Sequence, residues 1–131
     1  MLSEGWFDAE CQVGVARHHQ PGAPVTAAQL AAELARLEIA HALVTHADAA
    51  GYDPDAGNRR LLDEIAGYPQ LEPCWVLLPH DTGEFPPPAD AVAAMQAAGV
   101  RAARIYPRAF RFAFRLWALA PLLEALAARR F

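Results

Sequence analysis

Four short apolar runs alternate along the chain with segments whose apolar residues recur every three to four positions. This alternation restricts the fold more than any other feature. The runs predict strands at Phe7 to Val13, at Ala42 to Thr45 ending at His46, at Pro73 to Leu78 closed by Pro79, and from Val100 or Arg101 to Tyr106 closed by Pro107. The third is apolar throughout, the pattern of a strand covered on both faces. Between the runs, Thr26 caps a predicted helix reaching about Glu38, with Leu30, Leu34 and Leu37 on one side. A second helix is expected from near Ala56, with Leu61, Leu62, Ile65 and Ala66 apolar and Gly67 and Pro69 as the stop. A third spans Ala89 to Ala98 and ends at Gly99. The last covers about Leu116 to Arg130, with its regular part expected to begin near Pro121, because proline suits a first helical turn. Val15 to Val25, Gly51 to Pro54 and Phe85 to Pro88 carry loop chemistry.

Strands separated by helices in this way make a parallel sheet with right-handed crossovers. Four such units fit an open doubly wound sheet or the first half of an eight-unit barrel, within one domain of 131 residues. The expected class is therefore α/β with parallel strands and outer helices, and both architectures stay open on periodicity alone. In either architecture functional groups collect at the C-terminal ends of the strands. Those ends carry Glu10 and Gln12, His46, His80 just past its strand, and Arg104 with Tyr106.

The first strand is the richest in chemistry. In a regular strand Asp8, Glu10 and Gln12 share one face, while Phe7, Ala9, Cys11 and Val13 turn to the other, toward a core. Carboxylates inside a barrel need a metal, a cation or a substrate as partner. Glu10 is thus a candidate ligand or base, or else a structural carboxylate paired with an arginine such as Arg104. Arg104 and Tyr106 share inward parity on the fourth strand, where a guanidinium suits a substrate carboxylate. Gln12 reads as a pocket wall and His46 as a pocket residue at a strand end. His41, at the opposite end of its strand, reads as structural, and His18 and His19 fall in the long first loop.

Several function classes lose support. A net charge of −4 argues against nucleic acid, despite the alternation of arginine and phenylalanine from Arg108 to Arg115. One glycine after the first strand is too few for a phosphate-cradling turn, and serine is limited to Ser3, so neither a nucleotide site nor a serine triad is indicated. Cys11 and Cys74 lie in apolar runs without metal-type spacing. No run approaches a membrane span and the N-terminus lacks a leader pattern, so a cytoplasmic location without membrane association is expected.

The order of these features resembles the amidohydrolase superfamily, in particular its amidohydrolase-related branch of lactone hydrolases and metal-dependent decarboxylases. Members open with a strand reading hydrophobic-Asp-x-His-x-His-x-Gly, and Phe7 to Gly14 matches it at Asp8 and Gly14. Asp53-Pro54 with Gly57-Asn58 before a leucine-rich helix, the Pro73 to Pro79 strand, and Ala98-Gly99-Val100-Arg101 leading to Arg104 extend the likeness over nearly the whole chain. The resemblance implies a TIM-barrel-like half barrel of four βα units, with a divalent metal, zinc or manganese, at the mouth. Where the family places its two histidine ligands, however, this chain has Glu10, a competent ligand, and Gln12, a poor one. The family's other ligands, on its fifth, sixth and eighth strands, would fall beyond Phe131. Carried over residue by residue, the resemblance implies a hydrolase or decarboxylase for a small carboxylated or cyclic substrate. Glu10 and His46 would do chemistry, with Glu10 also the metal ligand, and Gln12, Arg104 and Tyr106 would hold substrate. The alternative is an inactive relative that binds a ligand or associates with itself. In either case four strands leave open edges, so a homo-oligomer or the remainder of a barrel is the expected partner.

Overall fold

The computed structural model describes residues 5–79 and 83–131. Its strands are β1 (Trp6–Val13), β2 (Ile39–His46), β3 (Leu71–Val76) and β4 (Ala102–Arg104). Its helices are α1 (Ala27–Arg36), α2 (Ala47–Gly51), α3 (Pro54–Ile65), α4 (Pro88–Ala97) and α5 (Leu116–Ala128). All four strands are parallel, in the order β1-β2-β3-β4, and curl into a half barrel with helices between them. Among the described residues no helix is long and apolar enough to cross a membrane.

Local chemistry accounts for the helix starts. Thr26 and Gln29 form a capping box at α1, the Thr26 hydroxyl accepting from the Gln29 N–H at 3.1 Å. Asp53 accepts from the Ala56 N–H ahead of Pro54, which opens α3. The apolar stripes then bury Leu30 and Leu34 of α1, Leu61 and Ile65 of α3, and Val92 and Met95 of α4. These meet Val13, Val44, Leu71, Trp75 and Leu77 on the convex side of the sheet.

Within this layer Asn58 is a buried polar residue. Its amide accepts from the Val76 N–H and donates to the Val76 carbonyl, both at 2.9 Å. The recorded β2–β3 register ends at Val44 opposite Pro73, a residue with no N–H to give. Three residues on, Asn58 supplies Val76 with the donor and acceptor that a neighbouring strand would have provided. α3 is thereby fastened to the sheet by the same currency that holds strands together.

Four expectations are corrected. A bulge between Asp8 and Cys11 breaks the alternation of β1, so Asp8 lies opposite Ala42 and hydrogen-bonds Cys11. It does not share a face with Glu10. Phe7 in turn lies opposite His41 and is 56% exposed, so it is not a core residue. The loop after β2 contains α2, five residues capped by His46, too short to show periodicity. Finally, α5 begins at Leu116 and contains Pro121. The proline removes one helical donor on the exposed side of α5, which also carries Trp117, where water can serve the freed carbonyl.

Candidate functional site

The strand ends bring five polar or sulfur side chains together on the concave face. Arg104, from β4, places Nη1 3.2 Å from Oε1 of Glu10 on β1 and donates a second hydrogen bond to the Ala9 carbonyl. It therefore spans the mouth from the last strand to the first. The Cys74 thiol of β3 contacts both Arg104 and the Thr45 hydroxyl of β2. Tyr106, two residues past Arg104, is close enough to interact with it electrostatically. Burial pushes the Cys74 thiol above its ordinary range, with Thr45 and Arg104 pulling the other way, so the group is a neutral thiol.

The pair at the centre is asymmetric. The Arg104 side chain is 25% exposed and that of Glu10 is 81% exposed. A guanidinium fixed from one side and covered on the other by a loosely held carboxylate is open to exchange, because an exposed ion pair contributes only about 0–1 kcal/mol.

His46, His18, His19 and His41 lie outside this group. His46 turns its ring over Gly14, where a Cβ would come within 2.7 Å of Cε1. Its Nδ1 accepts from the Asp48 N–H at 3.0 Å to cap α2. Burial lowers its pKa, only partly opposed by Asp48, so the ring is neutral and its Nδ1 lone pair is taken. Gln12 is exposed, opposite Thr45 in register, and borders a cavity of about 390 Å³ between the first loop, α1 and β1. His18 and His19 line that same cavity, on the flank of the sheet. His41 sits at the N-terminal end of the sheet with Phe7 and Leu43, near the ion pair of Arg101 and Glu72 at 3.4 Å. His80 lies outside the described residues.

Thr45 and Cys74 are the site members that sequence reasoning missed. Their signal was available, since each is a polar or sulfur side chain one or two residues before the end of its strand, at inward parity.

The implied metal does not fit the residues present. Among the described residues no group of three His, Cys, Asp or Glu side chains could hold a metal ion. The space beside Glu10 is taken by the Arg104 guanidinium, whose charge repels a cation, and Cys74 is held as a thiol. The arrangement suits an anion. No family model, curated protein or solved structure matches this chain.

Proposed function

We propose that this half barrel is the substrate-holding side of an amidohydrolase-related barrel for a small carboxylated, lactone or amide molecule, and that its own share of the work is to bind the substrate's anionic group. The observation that carries this reading is the position of Arg104. Its fork points at the mouth, anchored to the Ala9 carbonyl and paired with an exposed Glu10. A substrate carboxylate takes the place of Glu10 in a bidentate contact, with Tyr106 beside it. Glu10, once displaced, is a free carboxylate next to the bound molecule, positioned to accept a proton. Hydrolysis or decarboxylation is the reaction class that the sequence resemblance suggests, and no step of it is assigned here to a metal.

The test is titration calorimetry of the chain with a panel of small monocarboxylates, dicarboxylates and lactones. Charge-assisted hydrogen bonds contribute about 1.5–3 kcal/mol. Arg104→Met therefore weakens carboxylate binding by roughly 10- to 100-fold. Glu10→Gln removes the internal competitor and tightens it. Carboxylate affinities that Arg104→Met leaves unchanged would refute the proposal. A second reading, a ligand-binding protein without turnover, is favoured by Gln12 at the second histidine position of the resembled motif. Glu10→Ala separates the two: turnover lost with binding retained marks chemistry, and no turnover in the parent chain marks a binding protein.

A further inference from the structure

Among the described residues the half barrel leaves two strand edges open, β1 on one side and β4 on the other. Each edge is accompanied by exposed apolar side chains. Beside β1 lie Trp6, 77% exposed, and Leu37, and next to them is the cavity floored by Leu30, Leu34 and Leu37 of α1 and by Cys11. Beyond β4, α5 packs on α4 with Ala118, Leu119 and Leu122. It leaves Leu116, Trp117 (73% exposed) and Leu123 uncovered, with Phe114 just before it. One edge therefore presents an apolar recess and the other an apolar helix.

The charges are complementary as well. Arg108, Arg111 and Arg115 are exposed on the approach to α5, and among the described residues none of them joins an ion pair. On the other side, Asp8 lines the recess beside β1. We propose that the occupant of both edges is a second copy of this chain. A twofold axis along the barrel sets β4 of each copy parallel to β1 of the other and closes eight parallel strands. The exposed face of α5 then enters the recess between α1 and β1 of its partner, and the arginines before it approach the partner's Asp8.

Three physical requirements are met together. Strands rotated about the barrel axis remain parallel, so both seams have the same polarity and the assembly closes at two copies without growing into a filament. The unpaired backbone groups of both edges are satisfied, which removes the template for indiscriminate strand addition. The area is also sufficient. Trp6, Phe7, Phe114 and Trp117 together offer on the order of 500 Å² at the exposures found, taking 150–250 Å² per aromatic side chain. Leu37, Leu116 and Leu123 bring this near the ~800 Å² per partner of a standard interface. This inference goes beyond the proposed ligand site and does not depend on it.

The experiment is the solution mass of the chain by light scattering across a concentration series, for the parent and for Trp117→Asp and Leu37→Asp, each checked for native circular dichroism. The expected result is a parent of twice the chain mass and single variants that dissociate at least tenfold more readily. A mixture of the two variants should recover dimer, because one of its two seams then joins an unaltered α5 to an unaltered recess. A folded parent that stays monomeric at 100 μM overturns the proposal and assigns the edges to other residues or another chain. A mass that climbs past two copies overturns the closed geometry. A dimer indifferent to both substitutions overturns the seam. The mass of the unaltered chain decides the first two outcomes even where a variant fails to fold.

Discussion

Replacing Asn58 with alanine removes the one side chain that serves both backbone groups of Val76. Asn58 is 2% exposed, and its two hydrogen bonds are each 2.9 Å long. The substitution leaves a buried N–H and a buried C=O without partners, and each orphan costs about 1–3 kcal/mol. A loss near 3 kcal/mol is a large share of the ~5–15 kcal/mol that a domain of this kind has in total. It should lower the melting temperature by on the order of 10 °C. Urea unfolding followed through the fluorescence of the buried Trp75, on the same strand, is the direct assay. Asn58→Asp sharpens it. A neutral carboxyl at this position can donate to the Val76 carbonyl and accept from its N–H as the amide does, whereas a carboxylate can only accept. The fold therefore holds the acid protonated, with a pKa raised above the ~3.9 of the unfolded chain. Relative to the parent, this variant should be close to native below pH ~4. It should then lose about 1.4 kcal/mol per pH unit until the raised pKa is passed. An alanine cost under ~1 kcal/mol, or an Asp deficit that does not vary with pH, would refute the assignment of Asn58 as the strand substitute for Val76.

Gly57→Ala should cost at least ~2 kcal/mol in the same assay, because a Cβ there falls 2.2 Å from the Ala49 nitrogen and 2.5 Å from its Cα, contacts with backbone that cannot swing away. Buried His46 has a lowered pKa, so the unfolded chain, titrating near ~6.5, takes up its proton first. Stability should therefore fall as pH drops through that value, and His46→Asn, which retains a capping acceptor, should flatten the slope. The Cys11 thiol is pushed up to about 12 by burial and by its hydrogen bond to, and the charge of, Asp8. At pH 8 it should react slowly with a thiol reagent in the folded chain, faster in Asp8→Asn, and at once in urea.

The alternation of strands and helices was legible because its signals are periodic. Leu30 and Leu34, or Leu61 and Ile65, mark a helix face without reference to anything distant, and the apolar run ending at Pro79 announces a covered strand. The bulge in β1 was not legible, since an extra residue between Asp8 and Cys11 leaves no trace in hydropathy while reversing which side chains face inward. α2 escaped for a related reason: its cap is the histidine of a preceding strand, and five residues show no period. Pro121 misplaced the start of α5 because the rule for proline at a first turn took precedence over the Leu116 to Ala120 run before it. At the mouth, the pairing of Glu10 with Arg104 was among the alternatives that parity suggested. The capping role of His46 depends on the fold around Gly14, which parity does not see. Thr45 and Cys74 were passed over because neither is charged.

The first loop is held at its neck by one hydrogen bond, from the Gly14 N–H to the Val25 carbonyl at 2.7 Å, with Gly14 at a φ of 88° that favours glycine. A span pinned in this way is an interchangeable cassette. Once its ends are fixed, doubling its length costs only about 0.6 kcal/mol of closure entropy. Residues 15–24 can thus be lengthened or exchanged at small thermodynamic expense, while the leucine floor beneath them, which belongs to α1, keeps its shape. Variation in that loop would re-tune what lies against the flank of the half barrel without disturbing the strands that carry Arg104 and Glu10.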